Sequence, residues 1–537
     1  MTPSAKAALK ALGAFLFWTA LFSLAYTQSP LYTSNQNQYF LHGLTRAGYG
    51  TLSGDWLANT LDPTPVFSAL VEILYCLFRQ PAVFYLLYGL LMGVYLFSAL
   101  GIARELFHPQ IRPVPRTIST AASGDQDGKR VWGNSFSLEP AVLLFLGLFI
   151  TLHSAGLRFF LSRLLSPNWT YVLEDGVADQ RLLGPVLQPS AFGVFLVLSV
   201  FLFLRRRPVL AVFSAALAAV VHPTYLLSAA FLTLAYMAAL VVEEHSARKA
   251  AVTGLAALLA VAPIVVYVFN SFSGAGSDPT LAAEARRLLV HVRIPHHALV
   301  AWWFDATAVA KVLLIVTALF LARRSRLFLP LLIPFLCGLA LTLVQVLSNS
   351  DFLALLFPWR VSVLLVPLAA VVILSWSACR LVAQPALQAP RSRLLLCLAP
   401  AALIGFACLA GLVRFGLDLQ RKGAAPERFV QAFVYSEAAP GKLYLTPVKM
   451  QDFRLAAGAP VFVDFKSIPY QAGDVLEWER RYRLADSFYH NPTCPALEQL
   501  ADNEGISRLV LPAGEPLNCP SLRLLYSDAE YSLFALE

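Results

Sequence analysis

The residues of this chain that could do chemistry are a small set of amides, carboxylates, imidazoles and guanidinium groups. They are Asn35, Asn37, Gln38, His42, Asp55, Asp62, Asp175, Asp179, Arg181, His222, Arg293, His296, His297, Asp351 and Arg360. The sequence has no Walker A, GxSxG, HExxH or dinucleotide glycine motif, which argues against ATP-driven transport and soluble-type hydrolysis. The chemistry must therefore depend on how an otherwise apolar chain positions these side chains.

Several of these side chains also have a structural explanation. Asp55 and Asp62 are typical of turns or helix caps, and Arg360 could anchor a helix end among lipid headgroups. His222 lies in apolar sequence, where an ionisable group is costly unless it has a partner, so a structural hydrogen bond and a ligand role both fit. The pair His296–His297 fits a solvated interfacial loop as well as a site.

The composition indicates a membrane protein. Of the 537 residues, 58% are hydrophobic and 14% are charged, against about 25% charged residues in soluble domains. A helix that crosses the hydrocarbon layer needs about 20 apolar residues. About eleven spans are predicted, near residues 8–26, 81–103, 139–163, 190–204, 208–221, 225–242, 250–270, 298–321, 327–347, 361–380 and 394–415. The predicted fold class is mainly α, a polytopic helical bundle, and soluble, fibrous and disordered classes are excluded.

Lysine and arginine cluster in the short connections between these spans, and the net charge is +9. Short basic loops stay on the cytoplasmic side, so the N-terminus is predicted to be cytoplasmic and the C-terminal tail to lie outside. Because the basic residues explain topology, we expect membrane lipids and not nucleic acid as partners. The apolar segment Val66–Phe78 is too short to cross comfortably and predicts a half-span or a membrane-hugging helix.

Polar stretches between the spans should lie outside. They are Thr27–Pro65, Ser166–Pro189 and Asn270–His297. Around residues 38–47 the polar and apolar side chains fall on opposite helical faces, which predicts an amphipathic helix lying on the membrane. Pro223 disfavours helix at His222, which predicts a polar cavity at that break.

The composition changes abruptly at about Gly423. Strands are predicted at 442–446, 460–466, 507–512, 522–526 and 531–535, and helices at 474–485 and 494–504. The chain is therefore divided into residues 1–422, a transmembrane bundle with outer loop 27–65, and residues 423–537, a small exported α/β domain.

Six strings extend the pattern to a known family. They are TSNQNQYFLHG at 33–43, DWLANTLDPTPVF at 55–67, DQRLLG at 179–184, HPTY at 222–225, RIPHH at 293–297 and LFPWR at 356–360. Together with the order of span, outer loop, bundle and exported domain, they resemble the GT-C superfamily of polyprenyl-phosphate-dependent glycosyltransferases. They also resemble a group of bacterial membrane proteins, many of them cyanobacterial, that carry a domain of unknown function.

The resemblance implies a glycosyltransferase of the bacterial inner membrane. A polyprenyl-phosphate sugar would be the donor, and a glycan, lipid or protein on the non-cytoplasmic face would be the acceptor. Asp55 or Asp62 would be the catalytic base, and Arg360 and Arg293 would bind the leaving phosphate. Further substrate contacts are assigned to Asn35, Asn37, Gln38, His42, Asp179, Arg181, His222, His296 and His297. The histidines could also join a carboxylate at a divalent metal ion, Mg²⁺ or Mn²⁺.

One position departs from the family pattern. GT-C enzymes usually carry an acidic residue early in the first outer loop, where this chain has the neutral run Asn35-Gln36-Asn37-Gln38. An amide cannot accept a proton near neutral pH. Either Asp55 or Asp62 takes that role, or the chain is a non-catalytic protein that binds or transports lipid-linked glycans. A structural assembly subunit whose exported domain docks a partner is the third alternative.

Cys494 and Cys519 are the two cysteines of the polar tail, and a disulfide between them is expected if the tail lies outside the cytoplasm. Thiol labelling of intact protein should therefore increase at these two positions after reduction. Equal labelling with and without reductant would remove the bridge. The five cysteines in apolar stretches are expected to be small buried side chains.

Overall fold

The fold is described from a computed structural model, which covers residues 3–111, 139–272, 278–387, 389–514 and 517–537. Residues 273–277 of the third predicted outer stretch lie outside these ranges. The long helices are Pro3–Tyr26, Val83–Ile111, Leu226–Glu244, Ala247–Phe272, Phe328–Ser348, Ser362–Val382 and Pro390–Gly423. Helices of intermediate length are Pro65–Phe78, Pro140–Leu152, Ala155–Leu164, Val194–Leu204, Pro208–Val221, Ala306–Ala322, Arg428–Glu437, Ala472–His490 and Cys494–Glu504.

Short helical segments occupy much of the remaining loops. Short α-helices are Gln36–Tyr39, Leu41–Arg46, Pro279–Arg287, Pro295–Ala298, Val300–Trp303, Asp351–Leu355 and Phe453–Ala456, and Leu288–Arg293 is a π-helix. Single 3₁₀ turns are Leu52–Gly54, Leu57–Asn59, Pro167–Trp169, Pro189–Gly193, Pro223–Tyr225, Pro358–Val361 and Pro385–Leu387. Many of them begin at proline, whose fixed φ suits the first turn of a helix.

The apolar helices confirm a polytopic membrane bundle. Among the described residues, seven helices are long and apolar enough to cross a membrane. The pair Pro140–Leu152 and Ala155–Leu164, bent by 56°, is an eighth if it forms one span. Each predicted span coincides with an apolar helix. The helices at the predicted spans 190–204, 208–221 and 298–321 are only 10–17 residues long. The segment Pro65–Phe78 has 14 residues and is about 21 Å long, against a hydrocarbon thickness of about 30 Å.

The span Asp351–Val382 is the centre of the bundle. Of its most apolar stretch of 18 residues, 78% are buried inside the protein. The corresponding share is 17% in both Ala5–Tyr26 and Ala247–Phe272. Helices at the periphery therefore present most of their surface outward, as lipid-facing helices do.

The predicted amphipathic helix of the outer loop forms as Gln36–Tyr39 and Leu41–Arg46, but its apolar face contacts protein. Phe40 is fully buried, with its ring centroid 4.7 Å from that of Phe84 and 5.9 Å from that of Phe67. The prediction that this helix lies on the membrane is wrong, because neighbouring helices cover the face that lipid would cover.

The C-terminal residues form a small mixed α/β unit. Its sheet has the order β1-β2-β4-β3, with β1 Tyr444–Leu445, β2 Arg508–Pro512, β3 Leu522–Ser527 and β4 Tyr531–Leu536. Strands β1 and β2 are parallel, and β4 is antiparallel to β2 and β3. Trp478 lies in the core beneath the sheet. A disulfide joins Cys494 to Cys519.

The predicted strand at 460–466 is not formed. Val461 makes one isolated bridge to Tyr444, and the chain then leaves the sheet. The reason is Asp464, whose backbone carbonyl accepts a hydrogen bond from Trp478 Nε1 at 3.0 Å and whose carboxylate accepts one from the Ser467 N–H at 2.7 Å. These bonds satisfy the backbone locally instead of through a sheet ladder.

A buried ion triad joins this C-terminal unit to the outer loop. Arg454 Nε donates to Asp55 Oδ2 at 2.6 Å, and Arg454 Nη1 donates to Asp464. The Asp55 carboxylate also accepts hydrogen bonds from the N–H of Val461 at 2.9 Å and from that of Ala58 at 3.2 Å. All three charged side chains are at most 3% exposed. Burial on this scale is tolerated because each charge has several partners.

The same junction is tight at the backbone level. Gly50 adopts φ +58°, and a Cβ there would lie 2.2 Å from the carbonyl oxygen of Gly458. Next to it, the Thr51 N–H donates to the Gly458 carbonyl at 2.7 Å. Glycine is therefore required at position 50 both for its positive φ and for the close approach of the two chains.

Replacing Arg454 by Met should detach the outer loop from the C-terminal unit. Two buried carboxylates would lose their common cation, which costs about 3–5 kcal/mol when one partner of a buried pair is removed. Thermal unfolding and limited proteolysis of the purified protein measure the loss. The exposed pair Arg483–Glu479 provides the control, since Arg483→Gln should change the unfolding temperature little. Equal behaviour of the two variants would contradict a structural role for the triad.

Candidate functional site

His222 and Arg360 meet at the end of the bundle. Pro223 ends the helix Pro208–Val221 and leaves His222 in an extended conformation, while Arg360 lies in the turn Pro358–Val361 just before the central helix. Arg360 Nη2 is 2.8 Å from His222 Nε2. A guanidinium group only donates, so Nε2 accepts and the proton of the neutral ring is on Nδ1. The Tyr225 ring lies 5.0 Å from the Arg360 guanidinium carbon.

Arg293 and Lys466 form a second cationic group. Arg293 ends the π-helix Leu288–Arg293 and donates through Nη2 to the backbone carbonyl of Lys466. Its guanidinium carbon lies 5.3 Å from the Phe465 ring centroid. Burial, followed by the nearby Arg293, lowers the pKa of the Lys466 ammonium to about 8. Burial likewise lowers the pKa of Arg293, which still remains protonated at neutral pH.

The His296 and His297 rings connect the two groups. Their centroids are 4.1 Å apart, and His297 Nδ1 is 2.6 Å from the carbonyl oxygen of Ala178. Burial lowers the pKa of His297 to about 3, so its ring is neutral. Its Nδ1–H therefore donates to the Ala178 carbonyl, and its Nε2 carries a free lone pair. Arg360 and Lys466 both lie within electrostatic range of His297.

Asp179 is an exposed carboxylate that lies within electrostatic range of His296. It follows Ala178, and both residues have positive φ, +60° at Ala178 and +52° at Asp179. Positive φ is uncommon for residues other than glycine, although aspartate adopts it more readily than most, so the surrounding structure must hold this turn. Asp179 influences the pKa of His296 and forms no ion pair with any described residue. Arg181 differs, because its guanidinium pairs with Asp175 at 3.0 Å.

The outer loop supplies amides and aromatic rings to the same region. Gln38 donates to the Tyr470 hydroxyl at 2.8 Å, and Asn35 donates to Gln188 at 2.8 Å. The Tyr39 ring lies edge-on to the His222 ring at 6.1 Å. Arg360 and Arg293 both lie within electrostatic range of the Tyr39 hydroxyl, whose pKa is raised by burial. Tyr39 therefore lies near both cationic groups.

The remaining loop residues lie around this region. The side-chain amide atoms of Asn37 are buried and have no hydrogen-bond partner among the described residues. His42 contacts the Ala58 carbonyl through Nδ1 at 3.1 Å, and burial lowers its pKa.

Three N–H donors of the cluster are buried without an acceptor in the described part of the chain. They are His222 Nδ1, Arg360 Nε and Arg293 Nε. Buried donors are nearly always paired, and each exception requires an explanation. Arg360 and Arg293 also form no ion pair with a described carboxylate. Donors without acceptors and cations without anions together fit the oxygens of an anionic ligand.

The two predicted catalytic carboxylates lie elsewhere. Asp55 is fully buried in the triad with Arg454. Asp62 pairs with Arg46 at 2.8 Å and accepts from the Thr64 N–H at 2.9 Å, which is the arrangement of a turn. Their catalytic roles stay predictions, and these contacts give both side chains a structural role.

The described residues offer no group of three or more His, Cys, Asp or Glu that could hold a metal ion. Mg²⁺ and Mn²⁺ prefer carboxylate oxygens. The cluster instead consists of guanidinium, ammonium and imidazole groups with one exposed carboxylate, Asp179. This donor set does not fit the divalent ion that the family resemblance implied.

An open cleft lies beside Tyr171 and Pro185, which flank the segment that carries Asp179. Its lining includes hydroxyl groups of Thr27, Ser29, Ser162 and Thr170 and the charged groups of Arg158, Arg414 and Asp418. Arg414 and Asp418 pair with each other at 2.7 Å, and Arg158 pairs with buried Glu174 at 3.4 Å. The charges in this cleft are therefore balanced, unlike those of the cationic cluster.

The sequence did not single out Lys466, Tyr39, Tyr225 or Tyr470 as site residues. Lys466 lies in a segment whose alternating side chains predict a strand, and aromatic residues are common in apolar sequence. Arg293 gives an indirect indication of Lys466, because a guanidinium group needs a hydrogen-bond acceptor. The partner is a backbone carbonyl of the C-terminal unit, and sequence spacing does not show such a contact.

Comparisons with known proteins give two findings. Residues 426–485 match the profile of a domain of unknown function, DUF6798. The chain is also similar in structure to ArnT from Cupriavidus metallidurans bound to undecaprenyl phosphate, with a TM-score of 0.49 and 13% sequence identity over 98% of this chain and 97% of that chain. No curated protein matches the chain by sequence.

Proposed function

We propose that this protein is an integral-membrane glycosyltransferase that takes a sugar from a polyprenyl-phosphate donor on the non-cytoplasmic face. The observation that carries the proposal is the set of buried N–H donors of His222, Arg360 and Arg293, which have no acceptor among the described residues. A phosphate group offers the acceptor oxygens that such donors lack. The sequence resemblance to GT-C enzymes supports the choice of a lipid-linked phosphate.

The proposed reaction is a displacement at the anomeric carbon. The acceptor oxygen bonds to that carbon, the carbon–oxygen bond to phosphate breaks, and its electron pair stays on the phosphate. The leaving group gains negative charge as the bond breaks. Arg360 and Arg293 stabilise that charge, and they do so strongly because they are partly or fully removed from water.

The proton of the acceptor hydroxyl needs a base. Asp55 and Asp62 already accept two or more hydrogen bonds or ion pairs each, which reduces their ability to take a proton. We assign the proton to Asp179, which is exposed and unpaired among the described residues and lies near His296. The neighbouring cleft, with its hydroxyls and balanced charges, is assigned to an acceptor rich in hydroxyl groups.

The position of the C-terminal unit supports the non-cytoplasmic face. Lys466 belongs to this unit and accepts a hydrogen bond from Arg293, so the unit and the cluster lie on the same side. The Cys494–Cys519 disulfide supports an oxidising compartment for that side. The N-terminus is then cytoplasmic, and the protein is a multi-pass protein of the inner membrane.

A non-catalytic protein that binds or transports lipid-linked glycans is the second candidate. It is favoured by the engagement of Asp55 and Asp62 in structural contacts and by a donor set that does not fit a metal ion. It predicts lipid binding without turnover, which separates it from the transferase.

Binding of undecaprenyl phosphate tests the anion site in both candidates. Arg360→Gln should bind this lipid roughly tenfold to a hundredfold more weakly than the wild type, because a hydrogen bond to a charged group is lost. Native mass spectrometry of the protein in nanodiscs measures the bound fraction. Arg380, exposed at the other end of the central helix, gives the matched control Arg380→Gln, which should bind normally. Unchanged binding by Arg360→Gln would exclude the proposed phosphate contact.

Turnover distinguishes the two candidates. In isolated membranes, overproduced wild type should convert polyprenyl-phosphate sugars to free polyprenyl phosphate, measured by liquid chromatography and mass spectrometry. Asp179→Asn should slow this conversion about a hundredfold or more, the usual effect of losing a general base. The exposed Asp502 gives the control Asp502→Asn. Lipid binding by the wild type with no conversion supports the non-catalytic candidate, and full conversion by Asp179→Asn assigns the base elsewhere.

A further inference from the structure

Hydrogen bonds of the neighbouring residues fix the backbone on both sides of Lys466. Its ammonium group has no partner among the described residues. Before it, the Asp464 carboxylate is fixed by Arg454 and the Phe465 N–H donates to the Val448 carbonyl at 3.0 Å. After it, the Ser467 N–H donates to Asp464 at 2.7 Å. Among the described residues, no acceptor binds the Lys466 ammonium group, whereas its carbonyl holds Arg293. The backbone is therefore rigid, and the ammonium group is free to bind a ligand.

The charged and titratable groups around Lys466 are mostly cationic or neutral. Arg293 faces it from the π-helix, and His296 and His297 face it from the next helix. Asp464, on its own segment, is the one acidic group that acts on it among the described residues, and Arg454 already neutralises that carboxylate. An ammonium group in such surroundings is destabilised until an anion binds, which agrees with its lowered pKa of about 8.

The proposed reaction changes the charge of the phosphate. The donor is a phosphodiester with one negative charge, and the product is a monoester that approaches two negative charges above a second pKa of about 6. With the diester bound, the ligand, Arg360 and Arg293 sum to a charge of about +1. With the monoester bound, they sum to about zero. A third cation is repelled in the first case and accommodated in the second.

We infer that Lys466 makes the site select the phosphate monoester over the phosphodiester. This inference rests on the proposed function and assigns a role to the C-terminal unit. Arg360 and Arg293 supply two permanent positive charges. Lys466, from the C-terminal unit, supplies a third charge, whose interaction energy differs between the monoester and the diester. The site then stabilises the negative charge that the phosphate gains during the reaction more than it stabilises the singly charged donor.

Two lipids of equal chain length test the inference, undecaprenyl phosphate and methyl undecaprenyl phosphate. The methyl ester is a diester without a sugar, so the unknown sugar does not enter the measurement. In nanodiscs near pH 7, wild type should bind the monoester roughly tenfold more tightly than the diester. Lys466→Gln should lose that preference by weakening monoester binding alone. Lys466→Arg, which keeps the charge, should retain the preference, and the exposed Lys449→Gln should match the wild type.

The pH dependence gives a readout that a merely structural role would not move. Raising the pH through about 8 removes the proton from Lys466, so the monoester preference of the wild type should decline toward pH 10. Lys466→Arg should show no such decline, because arginine stays charged.

The failures of the inference and of the proposed function are distinguishable. If Lys466→Gln keeps the wild-type preference, or if the wild type binds both lipids equally, the inference alone is overturned. If the wild type binds neither lipid, the proposed function fails and the inference fails with it.

Discussion

The site depends on the buried triad of Asp55, Arg454 and Asp464, which fixes the C-terminal unit against the outer loop. Removing three charges from water is costly, and the cost is offset only because Arg454 serves both carboxylates and backbone N–H groups complete their coordination. The consequence reaches the cationic cluster directly. Asp464 fixes the turn that carries Lys466, and the Lys466 carbonyl in turn holds the Arg293 side chain. The ion triad thus sets the position of two cations that we assign to the ligand.

The bundle contributes its share of the site through broken helices. Long apolar helices satisfy their own backbone hydrogen bonds, whereas a helix that stops leaves polar backbone groups free at its end. Here Pro223 ends one helix at His222, and Pro358 begins the turn that carries Arg360. Arg360 is half-buried with a buried Nε, and His222 is buried. The 2.8 Å hydrogen bond between them is therefore stronger than the same bond would be in water.

Much of the fold could be predicted because membrane crossing imposes a length and composition that single-sequence patterns record. The apolar runs located the helices, and the His222-Pro223 break and Arg360 were recognised as polar features of one end of the bundle. The partner of Asp55 could not be predicted, since Arg454 is 399 positions away and no local pattern links them. The segment 460–466 alternates like a strand, but the hydrogen bonds of Asp464 draw it out of the sheet, so tertiary contacts override local propensity. Lys466 was missed for the same reason: its importance comes from a neighbour on another segment.

The long separation of Asp55 and Arg454 also has a consequence for biogenesis. Synthesis proceeds from the N-terminus, so Asp55 leaves the ribosome long before Arg454 is made. Until then the Asp55 carboxylate remains hydrated, and the loop cannot close over the helices beneath it. A nascent chain that stops before Arg454 is consequently an inserted bundle with an unfinished outer surface.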